Sequence, residues 1–524
     1  MKVAVVSVAN DIIAIGFRKI AAIARQVYPS TEVYYVVSSY PYSALNYIMP
    51  TRVDKFFFSD KELADISEHL ALFDMVCFSS MTYSADLTKA IITNIRKINA
   101  NVYIVLGGVH SIVYPDDAIQ FADAICVGEG ERAFKEFFSA YINGLDFTNT
   151  KNFWFNQKGS ITKNSFFPLS TPQEIETFPF PIYAERELIY SSHKRGFTDC
   201  GLSDYLAYND LSYNTVWSIG CPNKCTYCSN SKFIENDKNY RILRYPSVEY
   251  IITEIEGVFE KHPHISKVNF HDDSFMAIPY KAIELFASQW KERIGLPFYV
   301  TGLIPSYVKR DKMAVLIEAG MNQVRMGIQS GSDRILAFYK RPNPAGIVFS
   351  AASIITEFKE HLILPSYDII MDNPIETRED ILATLEMAYM LPRPYTLNLF
   401  SLRAMPNTEL AHEFERLNVN LKDLKDNYSN LRPTFANLLM RLLVLFKPPQ
   451  WLFQRFLRRV KPFQEKQTLF PILHVVLRIL CTLKVVISRV LVRDFAHPAT
   501  CKVGYLLWKM GLIKFTISRK IRRI

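Results

Sequence analysis

Three cysteines in one short segment are the residues best suited to chemistry. Cys221, Cys225 and Cys228 fall within eight residues, and Gly220 and Pro222 disfavour a helix there, so the three thiols are expected to converge on a tight loop. Thiolates select zinc or iron–sulfur clusters, and a structural zinc site needs a fourth Cys or His at a short spacing, which this segment lacks. Three cysteine ligands would leave one of the four irons of a cubane iron–sulfur cluster without a protein ligand. A disulfide with a spare thiol, or buried apolar cysteines, are the alternatives.

The spacing Cys-x-x-x-Cys-x-x-Cys, with Tyr227 directly before the last cysteine, resembles the signature of the radical S-adenosylmethionine (SAM) enzymes. The resemblance implies a 4Fe-4S cluster whose open iron binds the amino and carboxylate groups of SAM. It also implies reductive cleavage of SAM to a 5'-deoxyadenosyl radical, a role for Tyr227 at the cofactor, and an electron donor of the flavodoxin or ferredoxin type.

Alternating strand and helix patterns from residue 213 onward supply a framework for this loop. Apolar runs predict strands at 215–219, 267–271, 298–302, 323–328, 367–371 and 397–402. Periodic segments between them predict helices at 247–261, 280–293, 308–319, 345–360 and 378–391. Six such units indicate a partial (β/α)6 barrel over residues 211–410, with its active site at the carboxyl ends of the strands. The cysteine loop follows the first predicted strand.

Residues 1–145 contain a second alternation, with strands predicted at 3–8, 32–39, 75–81, 102–108 and 124–128. Continuous β-branched runs are typical of a parallel sheet covered on both faces, so a doubly wound, Rossmann-like α/β domain is expected. Small or polar residues end the third, fourth and fifth strands: Ser79, Ser80, Thr82, Gly107, Gly108, Gly128 and Glu129. Small residues let a large planar ligand approach the backbone, although ordinary strand-to-helix turns are the alternative for each.

Together with residues 74–82, these turns resemble the cobalamin-binding domain that precedes the barrel in many radical SAM enzymes. The resemblance implies that the residues just named contact cobalamin. The sequence has no Asp-x-His-x-x-Gly motif, so cobalamin is expected without a histidine ligand from that motif. His110 is expected to begin a helix and to face solvent, with a place as a polar neighbour of the cobalamin as the alternative.

Polar residues also follow the other predicted barrel strands, with His271, Asp272 and Asp273 after the second. By resemblance to the cobalamin-dependent branch, Asp272 or Asp273 binds the ammonium group of SAM, with helix capping as the alternative for one of them. Gln329 and Ser330, after the fourth strand, are expected to face the ribose. After the fifth strand the family pattern reads Gly-x-Pro-Gly-Glu-Thr, but Asp372 and Ile375 replace its two glycines here.

The overall composition indicates a large intracellular protein. A chain of 524 residues has room for about three domains. Five further cysteines are scattered singly, which indicates a reducing compartment, and the first apolar run is too short for a signal peptide. We therefore expect a cytoplasmic main body. Residues 146–210 are predicted to be a connector with a hairpin turn at 157–159 and no chemistry of its own.

The last predicted region, 411–524, is helical, and from residue 441 it is strongly basic. Residues 441–524 contain 18 Lys and Arg against two acidic residues, whereas 1–440 contain 43 basic and 49 acidic residues. Apolar segments at 438–446, 451–460, 470–492 and 503–515 predict helices. In the longest, His474, Arg478, Arg489 and Arg493 share one face and Lys484 lies off it. This pattern is typical of helices at an anionic membrane surface, and a helical domain packed on the barrel is the alternative.

These observations predict a cobalamin-dependent radical SAM enzyme that modifies an unactivated carbon of a lipid-like or other hydrophobic substrate, by methylation in the usual chemistry of the family. The enzyme is expected to sit peripherally on the cytoplasmic face of the membrane. The alternatives are a non-methylating tailoring enzyme, an RNA- or peptide-modifying methyltransferase, and a cobalamin sensor with a vestigial barrel. The intact cysteine loop disfavours the sensor. Nucleic acid is not expected as a partner, because the basic residues lie within long aliphatic runs.

Overall fold

A computed structural model describes residues 1–37, 58–341, 343–420, 431–462, 465 and 471–515. They form two largely parallel β-sheets and a helical C-terminal region. All of the strands predicted for the two α/β regions are present, with one displaced. Residues 38–39 of the second predicted strand lie outside the described ranges.

The first sheet has nine strands. They are β1 (Val3–Ala9), β2 (Glu32–Val37), β3 (Met75–Ser80), β4 (Tyr103–Gly107), β5 (Ala124–Cys126), β6 (Phe153–Gln157), β7 (Ser160–Lys163), β8 (Glu187–Ser191) and β9 (Gly196–Asp199). Their order is β7-β6-β5-β4-β3-β1-β2-β8-β9. The central strands are parallel and buried on both faces, as their apolar runs require.

Helices cover both faces of this sheet. They are α1 (Ile15–Val27), α2 (Asp60–Leu70), α3 (Ala85–Ile98), α4 (Val109–Val113), α5 (Pro115–Ala118), α6 (Gly130–Ile142), α7 (Pro172–Glu176) and α8 (Leu202–Tyr208). The fold class predicted from the sequence, a doubly wound α/β domain, is confirmed.

Residues 146–210 extend the first sheet at both edges. The predicted hairpin pairs with β5 as β6 and β7, and a second hairpin, β8 and β9, pairs with β2. The second hairpin was not predicted. Its anchor is Glu187, a buried carboxylate that accepts hydrogen bonds from Arg18 Nη1 (3.0 Å) and Tyr35 Oη (2.6 Å). The charge of Arg18 offsets the cost of burying this carboxylate.

The second sheet has six parallel strands in sequence order. They are β10 (Ser212–Thr215), β11 (Lys267–Phe270), β12 (Phe298–Leu303), β13 (Met321–Gln329), β14 (Ser366–Met371) and β15 (Thr396–Ser401). The helices around it are α9 (Asn230–Asn236), α10 (Val248–Lys261), α11 (Tyr280–Gln289), α12 (Arg310–Ala319), α13 (Asp333–Phe338), α14 (Ala345–Glu357), α15 (Arg378–Met390) and α16 (Glu409–Arg416).

The first barrel strand differs from its prediction. We expected it at 215–219, but β10 ends at Thr215, and Ile219 makes only an isolated antiparallel bridge to Arg244. The reason is Asp272, whose carboxylate accepts the backbone N–H groups of Trp217 (3.1 Å) and Ser218 (2.6 Å). These bonds take the donors that a continued strand would give to its neighbour.

Four helices are described in the C-terminal region: α17 (Phe435–Leu445), α18 (Gln450–Leu457), α19 (Pro471–Leu491) and α20 (Cys501–Lys509). Helices α17 and α18 bury Leu439, Leu443 and Phe453 in one core with Ile369 of β14 and Leu385 of α15. At least this part of the region is therefore packed on the barrel.

Helix α19 packs one side on the protein. His474 and Lys484 bond to carbonyl oxygens of Thr434 and Val444, and Arg489 reaches Ala496 O. His474 and Arg489 of the predicted basic face therefore turn inward, as does Lys484, whereas Arg493 is exposed. The outward face is a stripe of exposed apolar side chains: Ile472, Leu473, Val476, Leu480, Leu483, Ile487, Val490 and Leu491. Helical periodicity identifies which residues share a face, but not which face packs.

Candidate active site

The cysteine loop connects β10 to α9 and is held by backbone hydrogen bonds to two distant segments. The N–H of Cys221 donates to Tyr240 O (3.2 Å), and the N–H of Thr226 donates to Tyr339 O (3.1 Å). Gly220 has a φ of +111°, and a Cβ there would lie 2.8 Å from Tyr240 O. Only glycine lets the chain enter the loop in this way.

The three thiols lie within electrostatic reach of one another. Ser274 Oγ donates to Cys221 Sγ (3.5 Å), and Arg341 Nη1 donates to Cys225 Sγ (3.5 Å). Burial raises the pKa of Cys228 to about 12, and nearby negative charges, the other two cysteines among them, add to the shift. Thiols in such surroundings ionise only with a positive partner, which a bound metal supplies.

These residues fit an iron–sulfur cluster. Within the described ranges, no group of three or more His, Cys, Asp or Glu side chains is placed to hold a metal ion. A cubane makes a different demand, because each cysteine thiolate ligates a different iron atom and the ligands stand farther apart. Cys221, Cys225 and Cys228, on one rigid loop and partly screened from solvent, would hold three of the four irons.

The two aspartates after β11 have different surroundings. Asp272 is buried, and its carboxylate is occupied by the backbone of Trp217 and Ser218 and by Ser218 Oγ. Asp273 is exposed, its carboxylate is hydrogen-bonded to the side chain of Asn230, and its negative charge acts on Cys228. Of the two alternatives, only Asp273 has a carboxylate open to an ammonium group, and that role stays a prediction.

The predicted ribose contacts are also distinguished by their surroundings. Gln329 has a φ of +74° at the end of β13 and is partly exposed. Ser330 is fully buried, and its hydroxyl is shared between Thr384 Oγ1 (3.1 Å) and the N–H of Ser332 (3.1 Å). Its side chain is thus committed to the protein interior. Tyr227 packs edge-on against Tyr339 beside the cysteine loop.

Asp372 shows why the turn after β14 departs from the family pattern. It has a φ of +60°, the backbone conformation that a glycine would adopt without strain. Its carboxylate accepts the N–H of Arg432 (2.9 Å) and Nδ2 of Asn437 (2.8 Å). The substitution therefore joins the C-terminal region to the edge of the candidate site.

A cavity of about 660 Å³ lies between the carboxyl ends of the first sheet and the barrel. The first sheet contributes Ser79, Gly107, Gly108, Gly128 and Glu129 to its lining, all predicted cobalamin contacts. The barrel contributes Ile219, Phe233, Tyr240 and His271. The two halves of the chain therefore share one cavity large enough for a bulky planar ligand.

Gly107 and Gly108 serve this cavity in different ways. A Cβ at Gly107 would meet nothing closer than Phe78 O at 3.8 Å. Gly108 has a φ of +90°, and a Cβ there would lie 2.6 Å from Ser80 O. Gly107 thus leaves space that a ligand can use, whereas Gly108 is needed for the packing of β4 on β3. This surface fits a corrin ring.

The other predicted cobalamin contacts are partly occupied. Ser80 is buried, and its hydroxyl bonds within the turn and with Thr88. Thr82 is partly buried, and its hydroxyl oxygen has no hydrogen-bond partner within the described part of the chain. Glu129 is paired with Arg244 of the barrel (2.5 Å) and accepts the N–H of Ser170 (3.0 Å). Glu129 therefore ties the two halves of the chain together at the rim of the cavity.

His110 does not face solvent, contrary to our expectation. It is 3% exposed, and its Nε2 lies 2.9 Å from Asp117 Oδ2, because the short helix α4 folds back onto α5. Burial lowers the pKa of His110, against the effect of Asp117. The sequence placed His271 at a strand end without an individual role. It gave no signal for Arg244 or Arg341, which only the folding of distant segments brings to the site.

Comparisons with known proteins agree with this geometry. A model of the B12 binding domain matches residues 1–138, and one of the radical SAM superfamily matches residues 215–388. An uncharacterized methyltransferase of Pyrococcus horikoshii, PH0819, is 26% identical over 345 residues, which cover 64% of this chain and 69% of that protein.

Two solved structures share the fold. The radical SAM methyltransferase TsrM of Kitasatospora setae, with cobalamin and a [4Fe-4S] cluster bound, has a TM-score of 0.60 at 16% identity, covering 80% of this chain and 75% of that one. The cobalamin-dependent radical SAM enzyme OxsB, with aqua-cobalamin and SAM bound, has a TM-score of 0.59 at 13% identity, covering 98% and 76%. The protein is a radical SAM enzyme with an N-terminal B12 binding domain, and its cofactors are a 4Fe-4S cluster, SAM and cobalamin.

Proposed function

We propose that the protein transfers a methyl group to an unactivated carbon of a hydrophobic substrate. The observation that carries the proposal is the shared cavity, because predicted cobalamin contacts of the first sheet line it together with barrel residues that flank the cysteine loop, such as Ile219 and Phe233. Cobalamin would supply the methyl group there, and SAM cleaved reductively at the cluster would supply the radical that removes hydrogen. The methyltransferase description of PH0819 agrees with this chemistry.

The chain's own contribution is placement and exclusion of water. Ile219, Phe233 and Tyr240 give the barrel side of the cavity an apolar wall, which protects a reactive radical from side reactions. The Arg244–Glu129 pair, with side chains only 10% and 15% exposed, fixes the two halves at the rim. Asp273 is available to orient the ammonium group of SAM.

The hydrophobic nature of the substrate is supported by helix α19. Among the described residues, Pro471–Leu491 is the one helix long and apolar enough to cross a membrane, and few of its residues are fully buried. Exposed cations follow this helix along the chain: Arg493 comes just after it, and Lys502 and Lys509 lie on α20. A stripe of this kind beside basic residues suits an anionic lipid surface. We propose that the enzyme docks peripherally on the cytoplasmic face of the membrane and meets its substrate there.

The experiment that tests the function is transfer of a labelled methyl group. The reconstituted enzyme, a reductant and SAM with a deuterated methyl group would be incubated anaerobically with a lipid extract of the host. A lipid that gains the deuterated methyl group supports the proposal. SAM cleavage together with a product that lacks the label would instead support a non-methylating tailoring reaction.

A further inference from the structure

The inner face of the barrel carries polar side chains, where barrel enzymes commonly have a packed apolar interior. The polar layer, as we name it, takes one residue from each strand: Asn214, Asn269, Tyr299, Arg325, Asp368 and Asn398. Asn214, Asn269 and Tyr299 lie opposite one another in the sheet, Asp368 lies opposite Asn398, and Arg325 is joined to Asp368 by hydrogen bonds. Their neighbours along the strands, such as Val268, Val300 and Val324, are buried in the core. Since side chains alternate along a strand, the polar layer points into the barrel.

A second set of residues, all buried, closes the barrel next to this layer. Lys267 Nζ bonds to Asp494 Oδ2 (2.8 Å) and to Gln323 Oε1 (2.8 Å), and Arg489 Nη2 also donates to Gln323 (2.9 Å). Lys267 on β11 reaches Gln323 on β13 across β12, which only the concave side of the sheet permits. All four side chains are buried, whereas five of the six members of the polar layer are partly exposed. The polar layer therefore lines a recess inside the barrel, which we call the cup, and these four buried residues close it at one end.

The orientation of the amides on one side of the cup follows from a chain of hydrogen bonds. Asn209 Nδ2 donates to Ser212 O (2.6 Å), so Asn209 Oδ1 accepts from Asn214 Nδ2 (3.0 Å). Asn214 Oδ1 then accepts from Asn269 Nδ2 (3.1 Å) and from His271 Nε2 (2.8 Å). A backbone carbonyl can only accept, so every later step is fixed. Asn269 Oδ1 and His271 Nδ1 remain as acceptors.

On the opposite side of the cup, a second set of hydrogen bonds also leaves one amide oxygen as a free acceptor. Arg325 Nε donates to both carboxylate oxygens of Asp368 (2.7 and 2.9 Å), and Asn398 Nδ2 donates to Asp368 Oδ1 (2.8 Å). Because a carboxylate only accepts, the amide of Asn398 is oriented, and its Oδ1 is left as an acceptor. Because His271 Nε2 donates to Asn214 Oδ1, the neutral imidazole leaves Nδ1 as an acceptor.

We infer that the polar layer and His271 bind a part of the substrate that carries hydrogen-bond donors, an amino or hydroxyl group. This inference rests on the proposed function and names the polar end of its hydrophobic substrate. Asn269 Oδ1, Asn398 Oδ1 and His271 Nδ1 have no partner among the described residues, and each can accept a donor from the substrate. A carboxylate would set its own acceptors against these three and is disfavoured.

Three probes with the same eight-carbon chain test the inference: octylamine, octanol and octanoate. Their binding to the anaerobic holoenzyme, loaded with cluster, cobalamin and SAM, would be measured by calorimetry. We expect octylamine or octanol to bind about tenfold more tightly than octanoate. Which of the two binds better distinguishes an amino from a hydroxyl group. Equal binding of all three, no binding of any, or a preference for octanoate would overturn the inference.

Variants of His271 and Asn398 test whether these side chains cause the preference for octylamine or octanol over octanoate. His271→Asn keeps an acceptor where Nδ1 lies, whereas His271→Gln keeps the donor at the Nε2 position and loses that acceptor. We expect His271→Gln and Asn398→Leu to reduce the preference over octanoate, and His271→Asn to keep most of it. A preference unchanged in both His271→Gln and Asn398→Leu would contradict the inference. Cobalamin absorbance and substrate-free SAM cleavage are recorded on each preparation, because their loss would count against the proposed function instead.

Discussion

The two sheets of this protein contribute to ligand binding in different ways. The first sheet is covered by helices on both faces, so its central strands are largely apolar, and the sheet meets the shared cavity at the carboxyl-terminal part of these strands, with Ser79 and Gly107. The barrel sheet is covered on its outer face only, and Asn269, Arg325 and Asp368 lie along its strands on the inner face. A sheet covered on both faces can give a ligand mainly backbone atoms and open space at its edge. A sheet covered on one face can also give the ligand polar side chains from its other face. Substitutions should therefore act by steric exclusion in the first sheet and by lost chemistry in the barrel.

The largest expected effect is on the cysteine loop. Alanine at Cys221, Cys225 or Cys228 should abolish the visible absorbance of the cluster and all SAM cleavage, because each supplies one of three protein thiolates. Cys200→Ser and Cys481→Ser are matched controls and should retain both signals. SAM cleavage that persisted in any of the three alanine variants would contradict the assignment of the loop.

The next effect is steric and belongs to the first sheet. Gly107→Leu should lower cobalamin binding at least about a hundredfold, since its side chain enters the cavity without meeting the protein first. Gly257→Leu, on helix α10 with open space around it, is the control for a leucine added elsewhere. Equilibrium dialysis with hydroxocobalamin gives the affinity, and unchanged binding by Gly107→Leu would place cobalamin elsewhere.

Gly108 would be a poorer choice for the same experiment. A side chain at that position would collide with the backbone of β3, so loss of cobalamin would report a damaged sheet.

A third prediction concerns the contact between the two halves. Arg244→Met should lower the free energy of unfolding by about 3 kcal/mol, because it leaves Glu129 nearly buried without its partner. The double variant Arg244→Met/Glu129→Gln should recover part of that loss. Urea unfolding followed by tryptophan fluorescence measures both. A double variant no more stable than the single one would show that the charge of Glu129 is not the cause.

The smallest expected effect is on membrane binding. Leu480→Glu/Ile487→Glu places two negative charges on the apolar stripe of α19 and should lower flotation with anionic vesicles about tenfold or more. Ile98→Glu/Leu145→Glu, at exposed apolar positions of the first α/β domain, should not. Deleting the whole region is unsuitable, because α17 and α18 complete a core with the barrel. Wild-type protein that stays free of anionic vesicles at low salt would contradict the docking proposal.

Much of the fold was predictable, because local periodicity carries it. The strands of both sheets and the helices between them follow from apolar runs, and the cysteine loop follows from spacing alone. The sequence does not show which side of a helix or strand packs against a distant segment. The basic face of α19, the burial of His110 against Asp117, and the unpredicted hairpin anchored by Glu187 and Arg18 all depend on contacts between distant segments. Residue type alone also could not show that Asp272 and Asp273 have different roles. The carboxylate of Asp272 is occupied by the backbone N–H groups of Trp217 and Ser218.

The central claim is that cobalamin in the first sheet and the cluster in the barrel act on one substrate across their shared cavity. Its most direct test is the fate of the methyl group of SAM in an anaerobic reaction with host lipid extract. The account predicts a lipid product that carries the intact deuterated methyl group, formed by the wild-type enzyme and absent with Gly107→Leu, which should still cleave SAM without substrate. A labelled product formed equally well by Gly107→Leu, or a wild-type product without label, would contradict it.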